Sequence, residues 1–419
     1  MQYFERFADE LRERRISMKY IIVLADGMAD EKQEALQGKT PMMAARTPNM
    51  DRMAASSEIL ELFTIPEGLP AGSDVGNLSI MGYDPRKYYA GRSPLEALSI
   101  GVPMVKGDVT YRINLVTLSG EAEYEEKRML DYSAGEISTE ESRELIAALQ
   151  ESLSSSHFHF YAGVSYRHIL LQKGGQCRHD FTPPHDISDR LIREHLPKDP
   201  AILDLMKRSY SILHEHPINR RRIAAGKRPA NSIWAWGEGS PIPYPSFQEQ
   251  YGLHGAVITA VDLLRGIAIG TGMDVISVKG ATGNKNTNFA GKGEAAIQAL
   301  RQDADFVYIH VEAPDECGHG GDLEGKIYSI EQIDEKIVGP ILAAMESSNE
   351  PFVMVVTPDH PTPVRVKTHT RGGVPCLIYR SDKPAFHEEA PTFSEEYADT
   401  RCAHMEGCKL MEYIVKQIN

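Results

Sequence analysis

The sequence lacks the features of several protein classes. Its five cysteines are odd in number and contain no CxxC pair, which argues against a disulfide framework and favours a reducing, cytoplasmic compartment. No apolar stretch of about 18 residues and no signal peptide is present, so neither membrane insertion nor secretion is indicated. Phosphate-loop (GxxxxGKS or GxxxxGKT) and dinucleotide (GxGxxG) motifs are missing as well.

Positive charge is also in short supply. The chain has 45 Lys and Arg against 59 Asp and Glu, a net charge of −14, which argues against nucleic acid or an acidic membrane surface as a partner. With 419 residues, 42% of them hydrophobic, it is long enough for two domains or for one domain with an insertion. The sequence leaves the oligomeric state open.

Three apolar segments end in acidic residues. Residues 20–25, 306–311 and 352–357 are rich in Val and Ile, which predicts buried strands of a parallel sheet. Ligands collect at the carboxyl ends of such strands. The candidate ligands that follow these segments are Asp26, Asp315, His319, Asp359, His360 and His369. Carboxylates mixed with imidazoles suit two divalent ions, with Mn²⁺, Zn²⁺ and Mg²⁺ as candidates.

Ser73 is the candidate nucleophile. It ends a Gly/Pro-rich loop directly before a predicted helix, where its alkoxide would face backbone N–H groups and the positive end of the helix dipole. The alternative is that Ser73 only caps that helix. Around Asp315 and His319, the neighbouring glycines favour a loop over a helical i,i+4 pair. Cys317 is assigned to packing and His310 to the core.

Five basic residues are candidates for binding an anionic substrate. Arg92 lies in a turn that enters a helix, and Lys285 and Lys292 lie in or beside a Gly/Asn-rich loop. Arg167 and His168 lie on a strand of the segment that we interpret as an inserted cap. The alternative for Arg92 is a contact with a surface acid.

The alternation of strand and helix patterns along the chain predicts an α/β protein with a mostly parallel sheet and helices on both faces. We expect this core in residues 18–106 and 231–419, interrupted by a smaller α+β cap at residues 107–230, where a half-exposed strand (109–117) and a Glu-rich helix (139–153) alter the pattern. Residues 1–17 form an N-terminal extension to which we assign no function. A last helix is predicted at residues 405–418.

The motifs resemble a known family in combination. They are Asp26-Gly27-Met28, Gly72-Ser73-Asp74, Asp315-x-x-Gly318-His319, Pro358-Asp359-His360 and His369-Thr370. They resemble the alkaline phosphatase superfamily and, more closely, the archaeal-type cofactor-independent phosphoglycerate mutases. The resemblance implies an alkaline-phosphatase-like core, a phosphoserine at Ser73, and interconversion of 3-phosphoglycerate and 2-phosphoglycerate without bisphosphoglycerate. It also implies two divalent ions, with Mn²⁺ first: one on Asp26, Ser73, Asp359 and His360, the other on Asp315, His319 and His369.

Two segments depart from the family pattern. Residues 130–136 and 233–239 stand where the archaeal enzymes carry arginines, which bind carboxylate and phosphate in bidentate fashion. These variants resemble a bacterial branch proposed to be homoserine kinases, so phosphoryl transfer to an amino-acid hydroxyl is the alternative function. In that case Trp234 and Trp236 would stack on a base, unless they serve apolar packing. A phosphomonoesterase or a non-catalytic relative is a third possibility.

Overall fold

The computed structural model describes residues 18–178, 180–387 and 391–416, so the predicted extension at residues 1–17 lies outside the described residues. The chain forms two compact units. Residues 18–89 and 244–416 form the core unit, and residues 90–243 form the inserted unit. Within this described part of the chain, no helix combines the length and the apolar character needed to cross a membrane.

The secondary structure alternates between strands and helices in the core unit. The strands are β1 Lys19–Ala25, β2 Ser57–Phe63, β3 Val109–Leu118, β4 Met129–Asp131, β5 Phe158–Val164, β6 Arg167–Gln172, β7 Ser232–Gly239, β8 Gly255–Ile258, β9 Asp274–Ile276, β10 Phe306–Val311, β11 Phe352–Thr357, β12 Val374–Arg380 and β13 Ala403–Glu406. The α-helices are α1 Pro41–Ala44, α2 Pro48–Ala54, α3 Ser73–Ile80, α4 Pro85–Tyr88, α5 Arg92–Ser99, α6 Thr139–Leu153, α7 Pro200–Leu213, α8 Pro217–Ala224, α9 Phe247–Tyr251, α10 Asp262–Gly270, α11 Phe289–Arg301, α12 Ala313–Gly320, α13 Leu323–Ile333, α14 Gly339–Ser348, α15 Glu395–Arg401 and α16 Leu410–Lys416.

The core unit is built on a mostly parallel mixed sheet in the order β13-β2-β12-β11-β1-β10-β8-β9. Its centre is parallel, since β1 pairs in parallel with both β10 and β11, and only β12 runs antiparallel to its neighbours. Every residue of β1, β10 and β11 is buried, as expected for strands that are covered on both faces. The predicted α/β fold class is therefore confirmed.

The inserted unit has its own antiparallel sheet in the order β4-β3-β6-β5, and β7 also pairs with β3. The α-helices α6 and α7 contribute apolar side chains to the core of this unit. The expected cap boundaries at 107 and 230 leave out α5 and β7. Those elements belong to the inserted unit, because the hydrogen bonds of β7 go to β3.

Two local expectations are wrong. The segment from Asp315 to His319 is helical, because Pro314 suits the first turn of α12 and Gly321 ends the helix in the left-handed region (φ 68°). The predicted last helix at 405–418 begins instead as β13, which pairs with β2, continues as a 3-10 helix at Gly407–Lys409 and becomes α-helical only in α16. Residues 417–419 lie outside the described residues.

Candidate metal centre

Three neighbouring strands of the core unit end at one edge of the sheet. Ala25 of β1 pairs with Val311 of β10, and Leu24 pairs with Thr357 of β11. Because these strands are parallel, the side chains that follow them meet there. They form two groups, each with one ligand atom per residue within 4.8 Å of the others. The Asp26 group is Asp26, Asp359 and His360, and the Asp315 group is Asp315, His319 and His369.

In the Asp26 group, the ring of His360 faces two carboxylates and a hydroxyl. Its Nε2 lies 3.5 Å from Asp26 Oδ1 and 3.4 Å from Asp359 Oδ2. The Oγ of Ser73 lies 3.2 Å from the same nitrogen and 3.4 Å from Asp26 Oδ1. Gly72 occupies the N-cap position and Ser73 is the first residue of α3. The hydroxyl of Ser73 therefore faces the Asp26 group and does not cap the helix.

In the Asp315 group, two imidazoles point at each other across a carboxylate. His319 Nε2 and His369 Nε2 are 2.9 Å apart and lie 3.3 Å and 3.5 Å from the carboxylate oxygens of Asp315. The Nδ1 atoms lie 3.1 Å from the carbonyl of Lys367 and 3.2 Å from the carbonyl of Ala71. A carbonyl only accepts, so each Nδ1 carries a proton and the Nε2 of a neutral ring carries a lone pair.

This donor set fits divalent cations. Two Nε2 lone pairs that face each other at 2.9 Å are unfavourable unless a positive charge lies between them. Asp26 and Asp359 are at most 1% exposed, and buried carboxylates are costly unless they are paired or coordinate a metal. Burial and the neighbouring carboxylates of Asp359 and Asp315 raise the pKa of Asp26 well above its usual range. A cation at each group would relieve both costs.

The pKa shifts of His319 and Asp315 indicate that the Asp315 group also favours a positive charge. The Asp315 carboxylate raises the pKa of His319 to about 9. Burial would raise the pKa of Asp315, but the imidazoles of His319 and His369 lower it below its usual range. Metal ligands must be deprotonated, so a cation here would replace the proton that the imidazoles otherwise hold.

Buried polar residues hold the Asp26 group in place. His310 Nε2 lies 2.8 Å from Asp26 Oδ2, and both side chains are buried. Asn77 Nδ2 donates to Asp359 Oδ2 at 2.8 Å and accepts at Oδ1 from the Tyr308 hydroxyl at 2.6 Å. His310 lies in the core as predicted, but its contact with Asp26 was missed. The available signal was the presence of two polar rings within the otherwise apolar β10.

The two lysines predicted to bind substrate make internal contacts. Lys292 is fully buried, and its Nζ donates to the carbonyl of His310 at 2.8 Å. Burial lowers the pKa of Lys292 to about 8. Lys285 is bonded to the carboxylate of Asp322. These contacts give no support to a role in substrate binding, and for Lys292 full burial contradicts it. Cys317 is buried and lies outside both ligand groups, with its Sγ 3.9 Å from Ser329 Oγ.

In the inserted unit, three arginines lie near one another. Arg112 on β3 forms an ion pair with Glu96 at 2.9 Å, and its guanidinium lies 4.0 Å from the ring of Trp236. Burial lowers the pKa of Arg112, Glu96 opposes this shift, and the positive charges of Arg92 and Arg167 add to it. The side chain of Arg92 is 49% exposed and lies 3.8 Å from Glu96. Arg112 was missed by sequence reasoning, although an arginine within a buried strand is itself a signal.

His168 and the tryptophans of the inserted unit differ from their expected roles. His168 is 2% exposed, and its Nδ1 accepts from the backbone N–H of Gly163, so it is a core side chain. Trp234 is buried and donates to the carbonyl of Thr182, while Trp236 donates to Asn114 Oδ1. These contacts favour packing over base stacking for the tryptophan pair.

The fold and the site together define an α/β protein with an inserted unit and with two candidate metal sites beside a serine. A profile of 2,3-bisphosphoglycerate-independent phosphoglycerate mutases matches residues 54–219. The chain is 50% identical over 402 residues to a probable mutase of this kind from Geobacter sulfurreducens, covering 95% of this chain and 100% of that one. It is 50% identical over 385 residues to such a mutase from Methanosarcina barkeri, covering 91% and 95%.

Solved structures agree with these relatives. A protein from Pyrococcus horikoshii matches with a TM-score of 0.78 and 29% identity, covering 96% of this chain and 97% of that one. The cofactor-independent phosphoglycerate mutase from Thermoplasma acidophilum matches with a TM-score of 0.66 and 25% identity, covering 96% and 99%. The chain belongs to the 2,3-bisphosphoglycerate-independent phosphoglycerate mutase family. The resemblance seen in the sequence is confirmed, and nothing in these comparisons favours the homoserine kinase alternative.

Proposed function

We propose that the protein interconverts 3-phosphoglycerate and 2-phosphoglycerate without bisphosphoglycerate, as an isomerase that works through a phosphoserine at Ser73. The main support for this proposal is the position of the Ser73 hydroxyl. Its Oγ lies within 3.4 Å of both Asp26 Oδ1 and His360 Nε2, at the edge of two candidate metal sites. A serine hydroxyl needs activation, and metal coordination is one way to provide it.

Two divalent cations complete this site in our proposal. Asp26, Asp359 and His360 would hold one together with Ser73, and Asp315, His319 and His369 would hold the other. Mn²⁺ is the first candidate, and Zn²⁺ and Mg²⁺ share the preference for carboxylate and imidazole ligands. Bound cations supply positive charge for the oxygens that attack and leave phosphorus.

The chemistry consists of two phosphoryl transfers. In the first, a bond forms between Ser73 Oγ and phosphorus while the bond from phosphorus to the C3 oxygen of the substrate breaks. The serine proton ends on that oxygen, so glycerate and phosphoserine result. In the second, the C2 oxygen takes the phosphoryl group and its proton returns to Ser73. Water must stay away between these steps, since phosphoserine hydrolysis would release phosphate.

Recognition of the substrate anion is assigned to arginines of the inserted unit. Arg92 and Arg167 were expected from the sequence, and we add Arg112 to this proposal because the charges of Arg92 and Arg167 act on it. Guanidinium groups bind carboxylate and phosphate with paired hydrogen bonds, which an otherwise acidic chain needs for a substrate that carries both. This cluster stands in for the arginines that residues 130–136 and 233–239 lack. A cytoplasmic location remains a prediction from the cysteine pattern.

The test is ³¹P NMR of the protein with Mn²⁺ and 3-phosphoglycerate, without nucleotide or bisphosphoglycerate. We expect a 2-phosphoglycerate resonance that disappears in Ser73→Ala and persists in Ser79→Ala. The second variant is a matched control on the same helix, because the Ser79 hydroxyl has no hydrogen-bond partner among the described residues. Inorganic phosphate as the main product would indicate a phosphomonoesterase. An unchanged spectrum from folded, Mn²⁺-loaded protein would contradict the proposal.

A further inference from the structure

Thr362 lies between the two ligand groups and contacts both. Its Oγ1 is 2.5 Å from Asp315 Oδ1 and 3.2 Å from His360 Nδ1, and the side chain is fully buried. We propose that Thr362 is a positioning residue whose single hydroxyl orients one ligand of each group, so that the two metal sites depend on one hydrogen-bonded link. This inference rests on the metal centre of the proposed function.

The direction of the two hydrogen bonds follows from the groups around them. His360 Nε2 faces Ser73 and the carboxylates of the Asp26 group, so it must present a lone pair in order to bind a cation. The proton of the neutral ring is then on Nδ1, which donates to Thr362 Oγ1. The hydroxyl proton of Thr362 remains for Asp315, because an ionised carboxylate only accepts. One hydroxyl thus satisfies both neighbours at once.

The backbone of Thr362 is held as firmly as its side chain. Its N–H donates to the carbonyl of Ala29 at 3.1 Å, and its carbonyl accepts from Lys326 Nζ at 2.8 Å. Lys326 is itself paired with Asp30 at 2.7 Å, and both side chains are fully buried. The hydroxyl therefore has little freedom to turn towards other partners.

Two glycines make room for this link. A Cβ on Gly27 would lie 2.6 Å from Thr362 Oγ1 and 2.5 Å from Asp315 Oδ1, and a Cβ on Gly318 would lie 2.3 Å from the Thr362 carbonyl oxygen. Real Cβ atoms do not approach so closely. Gly27 also has a φ of +60°, which favours glycine for a second reason. Glycine at both positions therefore leaves the space that Thr362 occupies beside the ligand groups.

Loss of the Thr362 hydroxyl should lower the metal affinity of both sites. Valine has the shape of threonine, so Thr362→Val keeps the packing but leaves the His360 N–H without an acceptor and Asp315 Oδ1 without a donor. Removing an outer-sphere partner of a metal ligand typically lowers metal affinity by about 10–100-fold. A purely space-filling role predicts instead that the valine variant binds metal like the wild type.

The experiment is a Mn²⁺ titration of the metal-free protein by calorimetry, with free Mn²⁺ counted in parallel by electron paramagnetic resonance. We expect the wild type to bind two ions. In Thr362→Val the Kd of both ions should rise, whereas Thr362→Ser, which restores the hydroxyl, should bind both ions almost as tightly as the wild type. Thr271→Val is the matched control, since Thr271 is also fully buried in the core unit and its hydroxyl donates to carbonyls of α10, the helix that it follows.

The proposed role of Thr362 would be overturned if Thr362→Val raised the Kd of only one Mn²⁺ ion. It would also be overturned if Thr362→Val bound Mn²⁺ as tightly as Thr271→Val. If Thr362→Val does not fold, the pair Thr362→Ser and Thr362→Ala isolates the hydroxyl, and equal binding by the two would overturn it as well. Fewer than two ions on the wild type would instead refute the proposed metal centre, and the link with it. The wild-type titration alone makes that distinction.

Discussion

Each unit of this protein contains a cluster of charged side chains, and the two clusters have opposite signs. The core unit gathers carboxylates and imidazoles, and Asp26 and Asp359 are at most 1% exposed. The inserted unit gathers guanidinium groups, and their exposure varies: the side chain of Arg92 is 49% exposed and that of Arg112 is 12% exposed. Buried charges lose their hydration and depend on fixed partners, whereas half-exposed charges keep most of theirs.

This difference separates two contributions to catalysis. Residues of the core unit surround Ser73, so a change there should lower the rate of the chemical step and the metal content. In our proposal the arginines of the inserted unit would bind an anion that is present in the ground state and the transition state alike, so a change there should raise KM.

The largest effect should come from Asp359→Asn. The amide has no charge to hold a cation beside His360, so we expect one bound ion fewer and a loss of about 10³-fold in kcat, similar to the removal of one preorganised charge-stabilising group. Elemental analysis and steady-state kinetics measure both. Asp303→Asn, at an exposed carboxylate of the same unit, is the control. Two retained ions with normal kcat would refute the ligand assignment.

Gly27→Ala should destabilise the core unit at the junction of the two ligand groups. An alanine at φ +60° costs about 1–2 kcal/mol from backbone strain alone. The collision of its Cβ with Asp315 and Thr362 should raise the loss to about 3 kcal/mol, within the range for overpacking. Gly38 has a φ of +82°, and a Cβ there would meet no other atom within 4 Å. Gly38→Ala therefore measures the backbone strain without a collision. Urea denaturation compares the two variants, and equal losses would count against the collision.

The inserted unit should lose stability in mild acid because of His168. Burial lowers the pKa of this ring to about 3 in the folded state, against about 6.5 in the unfolded chain. The unfolded state therefore gains a proton first as the pH falls below 6.5, and stability present at pH 7 decreases towards pH 3. Between pH 7 and pH 5 the loss should reach about 2 kcal/mol.

This pH dependence should be weaker in His168→Asn, whose Oδ1 can still accept from the Gly163 N–H. Urea denaturation at pH 7 and pH 5 measures it, with His157→Asn at an exposed histidine of the same unit as the control. An identical pH dependence in wild type and His168→Asn would show that another group is responsible.

The smallest effect should come from Arg112→Gln. The variant removes one guanidinium from the cluster with Arg92 and Arg167, and a charge-assisted hydrogen bond to substrate contributes about 1.5 kcal/mol or more. We expect KM to rise about tenfold while kcat changes little. Arg208→Gln, which removes an exposed ion pair with Asp204, is the control. A fall in kcat at unchanged KM would contradict the assignment of the chemical step to the core unit and of anion binding to the inserted unit.

Most of the core could be predicted from the chain because its strands are fully buried. Continuous apolar runs mark β1, β10 and β11, and parallel pairing then brings the residues that follow them to one edge. The candidate ligands were recognised from the residues that follow these strands, whereas their division into two groups was implied only by the family resemblance; the structure brings together the same two groups. The cap was recognised by its change in residue pattern, but its borders were missed because β7 pairs with β3 across all the elements from β4 to α8.

The errors share a physical cause. Glycines near Asp315 suggested a loop, yet Gly318 serves a close approach to the Thr362 carbonyl within a helix. Lys292 looked like an anion contact, yet its aliphatic stem is enclosed and its amine meets a strand carbonyl. In each case the tertiary environment decided the role of a residue whose local preference pointed elsewhere.

By itself, the sequence determined the α/β class, the strands at its centre and the donor atoms at their ends, because burial patterns and ligand chemistry are local properties of the chain. Only the tertiary structure decided which side chains hold those donors. His310 is 284 residues from Asp26, and Thr362 is 47 residues from Asp315. Such hydrogen bonds depend on packing between distant segments, and no local pattern of residues encodes their geometry.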